Sequence, residues 1–274
     1  MSSNSFIPVY LDIAQMAARA GGAVLQHYWG KQLSITEKGH AGDLVTEVDR
    51  NSEKEVIATI KRHCPDHGIL AEESGLSASN NGFQWVIDPL DGTTNYAHGY
   101  PQAGVSVGLI IDGIPSVGAV YNPMRDELWC AGVGMGATLN NIPIQVSDTT
   151  ELKNSLLVTG FAYDRRETTD NNYAEFCYLT HLTQGVRRAG SASLDLCDLA
   201  GGRLDGYWER GLSPWDLLAG VVILREAGGN ITAYDGSIFD LNSGRILATN
   251  GKIHQQLQDA LAKTPHSPAF SFSV

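Results

Sequence analysis

The 274-residue chain has 43% hydrophobic and 18% charged residues, a composition typical of folded globular proteins and unlike that of disordered ones. Its length allows one large core or two joined half-domains. The formal net charge of −11 disfavours nucleic acids and anionic membranes as partners. The same charge repels phosphorylated ligands, so any phosphate site would need a local source of positive charge, such as metal ions.

The first half of the sequence predicts two helices followed by a series of strands. Apolar residues at helical spacing after Pro8 predict an opening helix, and a second helix is expected over residues 46–63, before Pro65. Strands are expected at residues 68–71, 83–87, 102–111, 114–121 and 126–131.

The second half alternates strands with helices. Strands are expected near residues 156–158, 186, 206–208 and 246–248, and helices near 168–182, from Ser191, at 214–227 and at 252–262. The whole predicts a mixed α and β fold in which helices are layered on two sheets. A boundary near 145–150 divides an N-terminal α+β half, residues 1–148, from a C-terminal α/β half, residues 149–274, and we expect the halves to pack as one unit.

The cysteines and the N-terminus indicate where the protein resides. No two of the four cysteines have Cys-x-x-Cys spacing, which disfavours a zinc or redox motif. The sequence shows no signal peptide pattern and no apolar run of membrane-spanning length. We therefore expect a cytoplasmic protein with reduced thiols.

Acidic residues lie where predicted strands end or helices begin, at Glu72, Asp88, Asp91 and Asp216. Magnesium prefers oxygen ligands and commonly takes one or two carboxylates together with phosphate oxygens. Between Asp88 and Asp91, Pro89 stiffens the chain, and Gly92 lets the backbone approach a ligand closely. The amides of residues 92–94 can hold phosphate oxygens if a helix starts there. The segment predicts a metal-assisted phosphate site.

Each of these acids also has a simpler explanation. Asp91-Gly92 fits an ordinary turn, and Glu72 fits a solvated loop. Asp216 lies in the first turn of a predicted helix, where the helix dipole favours an acid without any function. The combination of the four acids is therefore what favours a metal site.

Two segments resemble signatures of the inositol monophosphatase family. Residues 85–96, Trp-Val-Ile-Asp-Pro-Leu-Asp-Gly-Thr-Thr-Asn-Tyr, are similar to the first, and Trp215-Asp216 with the helix that follows is similar to the second. Leu218 stands where the family usually has a small residue, which affects helix packing and not the metal ligand. Glu72-Glu73-Ser74 resembles the metal-binding glutamate motif, and the similarity covers nearly the whole chain, including residues 43–46.

The resemblance implies a layered αβαβα sandwich, commonly dimeric, and a magnesium-dependent phosphatase that lithium inhibits. Glu72, Asp88 and the backbone carbonyl of Leu90 would hold a first magnesium ion. Asp88, Asp91 and Asp216 would hold a second, and a third, weaker ion would lie near Glu72. Two to three ions are therefore expected.

The resemblance also implies catalytic and substrate-binding residues. Asp49 and Thr94 would orient the attacking water, which the metal activates. Thr94 would relay the proton of this water toward Asp49. Glu72 is also expected to be a catalytic residue. Contacts to the substrate are expected from Gly92, Thr93, Ala192 and Glu209. Asp49 and Glu209 also fit simple ion pairs with neighbouring cations.

The substrate is open among several phosphate monoesters. The segment around Ala192 together with Glu209 favours inositol 1-phosphate, hydrolysed to myo-inositol and phosphate. Histidinol phosphate, fructose 1,6-bisphosphate and 3′-phosphoadenosine 5′-phosphate are alternatives within the same family. We expect a small-molecule substrate, a homodimer, and neither nucleic acid nor membrane as a partner.

Two other classes of protein remain to be distinguished. In phosphatases of the haloacid dehalogenase type the acids lie at i and i+2, and the first is a covalent nucleophile. Here they lie at i and i+3 with a proline between them, which favours metal ligands and direct attack by water. A catalytically inactive protein that binds a sugar phosphate or a partner is the other alternative.

Overall fold

A computed structural model describes residues 6–37, 40, 44–78 and 81–264 of the chain. The helices of these residues are α1 (Ile7–Tyr28), α2 (Glu47–His63), α3 (Thr93–Ala97), α4 (Tyr173–Leu182), α5 (Ala192–Ala200), α6 (Pro214–Glu226) and α7 (His254–Ala262).

The strands fall into a larger sheet, a smaller sheet and a short ribbon. The larger sheet contains β3 (Gly68–Ala71), β4 (Gly75–Ser77), β5 (Phe83–Asp91), β6 (Gly104–Ile111), β7 (Ile114–Asn122), β8 (Glu127–Gly132), β9 (Ala137–Leu139) and β10 (Ile142–Ile144). The smaller sheet contains β11 (Leu156–Thr159), β12 (Gly185–Arg187), β13 (Gly206–Arg210), β14 (Asn230–Thr232) and β15 (Arg245–Thr249). The ribbon pairs β1 (Ile35–Glu37) with β2 (Leu44–Thr46).

The strand orders are β10-β9-β8-β7-β6-β5-β3-β4 in the larger sheet and β12-β11-β13-β15-β14 in the smaller one. Helices α1 and α2 cover one face of the larger sheet, and α5 and α6 lie between the two sheets. Helices α4 and α7 cover the outer face of the smaller sheet. The layers are therefore αβαβα, as the sequence resemblance predicts.

Each interface between layers is filled with apolar side chains. Trp85 belongs to the core between the larger sheet and its outer helices, and Trp129 to the core between the two sheets. Trp208 belongs to the outer core beneath α4 and α7. All three tryptophans are almost completely buried, so each layer contact removes a large apolar area from water.

Close packing brings α1 onto the larger sheet. A Cβ atom at Gly22 would lie 2.4 Å from the ring of Tyr121, and one at Gly21 would lie 2.7 Å from Ser52 Oγ. Glycine at these two positions therefore allows α1 to approach both β7 and α2. The approach fixes α2, which carries residues of the site.

The observed elements differ from the predicted ones at two places that matter for the site. Strand β5 continues through Pro89 to Asp91, whereas the sequence predicts its end at residue 87. Helix α4 begins at Tyr173 and not near 168, because Asn172 has a left-handed backbone, with φ 68°. A separate 3-10 helix, Tyr163–Arg166, precedes it.

The two sheets use separate parts of the chain, residues 68–144 and 156–249. The predicted boundary at 148 lies between them, and the division into half-domains stays a prediction. In the described part of the chain, every helix is too short or too polar to cross a bilayer.

Candidate active site

A β-bulge brings Asp88 and Asp91 to the same side of β5. Successive residues of a strand point to opposite faces, so residues three apart would ordinarily face away from each other. Asp88 pairs with Ser106 and Asp91 with Gly104, so three steps on β5 match two on β6. The extra residue reverses the alternation, and both carboxylates point toward one site.

Asp216 completes this group of acids from the other half of the chain. Among the described residues, Asp88, Asp91 and Asp216 each offer a carboxylate oxygen, and these three atoms lie within 4.8 Å of one another. Asp88 and Asp91 are buried, and Asp216 is half-buried. We call these three residues the acid cluster.

Burial and mutual repulsion disfavour three negative charges in the acid cluster. The pKa of Asp88 is raised well above its ordinary value, first by burial and then by the charges of Glu72, Asp91 and Asp216. Burial also raises the pKa of Asp91, although hydrogen bonds from Ser193 and Ser191 oppose the rise. The pKa of Asp216 is raised well above its usual range by burial and by Asp91. A bound cation would relieve this repulsion.

Two acids of the site also start helices. Asp216 Oδ2 accepts a hydrogen bond from the backbone N–H of Ser213, 2.6 Å away, in the capping box of α6. Asp49 does the same for α2, where its Oδ2 accepts from the backbone N–H of Thr46 at 2.8 Å and from the Thr46 hydroxyl at 2.6 Å. In each case the second carboxylate oxygen remains for the site.

The hydroxyl that contacts Asp49 belongs to Thr93 and not to Thr94, which corrects the predicted pairing. Thr93 Oγ1 lies 3.0 Å from Asp49 Oδ1 and 3.0 Å from the carbonyl oxygen of Leu90. Thr93 is the first residue of α3 and is buried, whereas Thr94 is exposed, and both line the adjacent cavity. Asp49 is fully buried, and burial raises its pKa despite the hydrogen bonds from Thr46 and Thr93.

Glu72 lies beside the acid cluster but outside the group of three. Its charge raises the pKa of Asp88 and of Asp216, so its carboxylate faces them. The turn that carries it is fixed by α2, because buried Glu53 accepts a hydrogen bond from the backbone N–H of Glu73 at 2.9 Å. Glu53 and Asp49 are four residues apart and lie on the same face of α2.

Helix α5 holds Asp91 from the opposite side. Asp91 Oδ2 accepts hydrogen bonds from Ser191 Oγ at 2.7 Å, from the backbone N–H of Ser193 at 2.7 Å and from Ser193 Oγ at 2.5 Å. The start of α5 thus fixes one oxygen of Asp91 and joins the two halves of the chain. Sequence reasoning did not assign a role to either serine.

A cavity of about 390 Å³ adjoins the acid cluster. Residues 92–94 line it together with Asp91 and Asp216, and so do Ala192 and Glu209, so all four predicted substrate contacts face the same space. Gly92 has a left-handed backbone, with φ 88°, and a Cβ atom there would lie 2.8 Å from the carbonyl oxygen of Gln102. Only glycine suits that position.

Glu209 is buried and does not form the surface ion pair that the sequence also allowed. Its Oε2 accepts a hydrogen bond from Tyr207 Oη at 2.7 Å. A Cβ atom at Gly160 would lie 1.9 Å from Glu209 Oε1, so Gly160 leaves the space that this carboxylate occupies. Burial raises the pKa of Glu209 to about 7, although Tyr207 and Arg188 act in the opposite direction.

The donor set of the site fits magnesium. It consists of carboxylates and carbonyls, which are the oxygen ligands that hard divalent cations prefer, and it contains neither histidine nor cysteine among its described members. Asp88, Asp91 and Asp216 supply clustered carboxylates, the charge of Glu72 acts on Asp88, and the Leu90 carbonyl lies beside the Thr93 hydroxyl. Charge repulsion among the acids favours occupation by a cation.

Comparisons with known proteins show the family of this chain. A model of the inositol monophosphatase family matches residues 9–267. The chain belongs to the inositol monophosphatase family. The inositol-1-monophosphatase of Synechocystis sp. is 64% identical to it over 264 residues, which are 96% of this chain and 92% of that protein.

The solved structure of an inositol monophosphatase from Anabaena (Nostoc) sp. has the same fold. Its TM-score is 0.88 at 57% sequence identity, and the match covers 96% of this chain and 99% of that one. As a member of the inositol monophosphatase family, the chain is a phosphoric monoester hydrolase. The Nus factor SuhB of Haemophilus influenzae is 40% identical over 250 residues, covering 90% of this chain and 93% of that protein.

Proposed function

We propose that this enzyme hydrolyses inositol 1-phosphate to myo-inositol and phosphate, with magnesium bound at the acid cluster. The observation that carries the proposal is that Asp91 and Asp216 of the acid cluster line one cavity together with Glu209 and Ala192. The cavity therefore offers carboxylates for the metal ions of a phosphate and a further carboxylate for the hydroxyl groups of a polyol. The name of the Synechocystis relative supports the same substrate.

The acid cluster would hold the metal ions. We assign Glu72, Asp88 and the Leu90 carbonyl to one ion, and Asp88, Asp91 and Asp216 to a second. Bound there, magnesium would neutralise phosphate charge, stabilise the leaving oxygen and lower the pKa of bound water. We expect a third, weaker ion near Glu72.

Thr93 and Asp49 would position the attacking water and take its proton. Thr93 Oγ1 donates toward Asp49 Oδ1, which leaves the lone pairs of the hydroxyl oxygen to accept a hydrogen bond from water. The proton can then pass through Thr93 to Asp49, whose raised pKa makes it a better base. The relay that the sequence assigned to Thr94 is thus proposed for Thr93.

Two parts of the chain would bind the substrate. The backbone at Gly92 and Thr93, where α3 begins, lines the cavity beside Asp91 and would bind the phosphate. Glu209 would accept hydrogen bonds from hydroxyl groups of the polyol, and Ala192 would leave room for the ring. Since Glu209 is buried, an unmatched polyol would leave its carboxylate with Tyr207 as a partner but with no hydrogen bond from the substrate, which favours the correct alcohol.

Several expectations accompany this function. We expect inhibition by lithium, a homodimer and a cytoplasmic protein. The net charge of −11 favours neither nucleic acid nor anionic membrane as a partner.

A substrate panel tests the proposal. The purified protein would be assayed with magnesium against inositol 1-phosphate, histidinol phosphate, fructose 1,6-bisphosphate and 3′-phosphoadenosine 5′-phosphate, with and without lithium. We expect the highest kcat/KM for inositol 1-phosphate and its loss on adding lithium. A higher kcat/KM for another monoester would contradict the substrate, and absence of turnover across the panel would favour an inactive binding protein.

A further inference from the structure

The segment from Gly160 to Arg166 forms one wall of the cavity. Phe161, Ala162, Tyr163 and Arg165 all line the cavity, and residues 163–166 form the short 3-10 helix between β11 and α4. The metal and phosphate residues lie on other elements, namely β5, α3 and α6. The position of this wall therefore affects the space for the alcohol portion of the substrate.

The end of β13 touches this wall through three consecutive residues. Glu209 fills the space beside Gly160, and a Cβ atom at Gly211 would lie 2.4 Å from Ala162 Cβ. Between them, Arg210 forms a bidentate ion pair with Asp164. Arg210 Nη2 lies 2.7 Å from Asp164 Oδ1, and Nη1 lies 3.3 Å from Oδ2.

A second acid, Asp170, lies beyond the segment in sequence and pairs with the same arginine. Arg210 Nε lies 3.6 Å from Asp170 Oδ1, and Asp170 also pairs with Arg245. Arg245 is the register partner of Arg210 across β13 and β15. The Arg210 side chain is only 11% exposed, so its charge is largely removed from water and its two acidic partners hold it in one geometry.

We propose that Arg210 is a positioning residue for substrate selection. Its ion pair with Asp164 holds the wall of residues 160–166 in place. The wall then lies at the distance from Glu209 that leaves room for the polyol. The inference rests on the proposed function, because it concerns the alcohol end of the same cavity. Arg210 acts through the wall and does not line the cavity.

The test separates the alcohol end from the phosphate end. In Arg210→Gln we expect KM for inositol 1-phosphate to rise about three- to tenfold, the effect of losing a part-buried ion pair, with kcat changed less than about twofold. The inhibition constant of inorganic phosphate should be unchanged, because phosphate alone occupies only the metal end. If Arg210 had a purely structural role, the substitution would alter both KM and the inhibition constant of phosphate, or neither of them.

Matched variants complete the experiment. Arg203 forms a similar bidentate pair with Glu127, with N–O distances of 2.6 and 3.2 Å. This pair does not line the cavity, so Arg203→Gln should lower Tm and leave KM unchanged. Asp164→Asn should raise KM as Arg210→Gln does. The double variant should be no worse than either single one, because both remove the same pair.

Three outcomes would overturn the inference. They are an unchanged KM in Arg210→Gln, an equal rise in the inhibition constant of phosphate, or the same KM increase in Arg203→Gln. Failure of the wild-type enzyme to hydrolyse inositol 1-phosphate would instead contradict the proposed function. The wall would then be tested with the monoester of the panel that the enzyme prefers.

Discussion

The carboxylates of Asp49 and Asp216 each serve local folding and the site at once. One oxygen of each closes a capping box, and the other remains available to the site. An acid in the first turn of a helix needs no function to explain it. What distinguishes Asp49 and Asp216 from such acids is their further contacts: Asp49 Oδ1 lies beside Thr93, and a carboxylate oxygen of Asp216 lies in the acid cluster.

At the residue scale, the first prediction concerns the two neighbouring threonines. Thr93→Ala should lower kcat about a hundredfold or more, because it removes the hydroxyl between water and Asp49. Thr94→Ala should have a much smaller effect, and Thr93→Ser should retain most activity. Steady-state kinetics on the three variants checks this, and a larger loss in Thr94→Ala would restore the pairing predicted from sequence.

The second prediction at this scale concerns stability and pH. Burial raises the pKa of Glu209 from 4.5 to about 7, so the folded state holds a proton between these pH values that the unfolded state has released. The contribution of this group to the free energy of unfolding is therefore fully present below pH 4.5 and is lost as pH rises from 4.5 to 7. This difference corresponds to about 3 kcal/mol at most.

Glu209→Gln removes this titration. Its free energy of unfolding, relative to wild type, should increase as pH rises from 4.5 to 7 and then level off. Denaturant unfolding without added metal at several pH values measures this, with Glu55→Gln on the exposed face of α2 as the control. If the free energies of unfolding of Glu209→Gln and wild type differ by the same amount at every pH, the Glu209 carboxyl is not held protonated in this range.

The residues of the site were not equally predictable. Asp88 and Asp91 belong to a long and specific sequence pattern, which identified them directly. Which of two adjacent threonines points inward depends on the turn of α3, and the sequence does not show that. Gly160, Ser193 and Arg210 act through contacts with residues far away in the sequence, so no local pattern marked them.

At the scale of elements, the bulge in β5 determines the site. The predicted strand ended before Asp88, and a proline inside a sheet is uncommon. The strand instead continues past Pro89, and its extra residue turns both acids toward the cluster. Apart from the start of α4, the positions of the predicted helices agree with the structure, since apolar spacing and capping residues are local signals. The bulge was missed because it depends on pairing with β6.

The element-scale prediction concerns the start of α2. Thr46→Ala removes the side-chain cap of the helix and one hydrogen bond to Asp49, so it should lower the free energy of unfolding by about 1 kcal/mol. It should also lower kcat, because Asp49 loses a partner that holds it. Thr46→Ser keeps the hydroxyl and is the matched variant. Equal losses of stability and of kcat in both variants would contradict a role for the cap.

At the scale of the molecule, the site lies where the two halves of the chain meet. Asp88 and Asp91 come from the larger sheet, whereas Asp216 and the serines that hold Asp91 come from helices packed between the sheets. The layered architecture could be predicted from the family resemblance. The strand orders could not, because they depend on long-range pairing that sequence periodicity does not encode.

This arrangement makes metal binding a property of the complete fold. A cation bound by acids from both halves stabilises only the native state, so magnesium should raise Tm. The same cation would supply the positive charge that a phosphate needs in a protein with a net charge of −11. Metal binding and turnover should therefore disappear together when the acid cluster is altered.

Phosphate release from inositol 1-phosphate, measured before and after removal of metal, tests the central claim most directly. After treatment with EDTA the wild-type protein should be inactive, and added magnesium should restore turnover. Asp91→Asn should remain inactive at every magnesium concentration and keep a wild-type circular dichroism spectrum, with the exposed Asp12→Asn as an active control. Turnover that persists in EDTA, or near-normal activity of Asp91→Asn, would contradict the account.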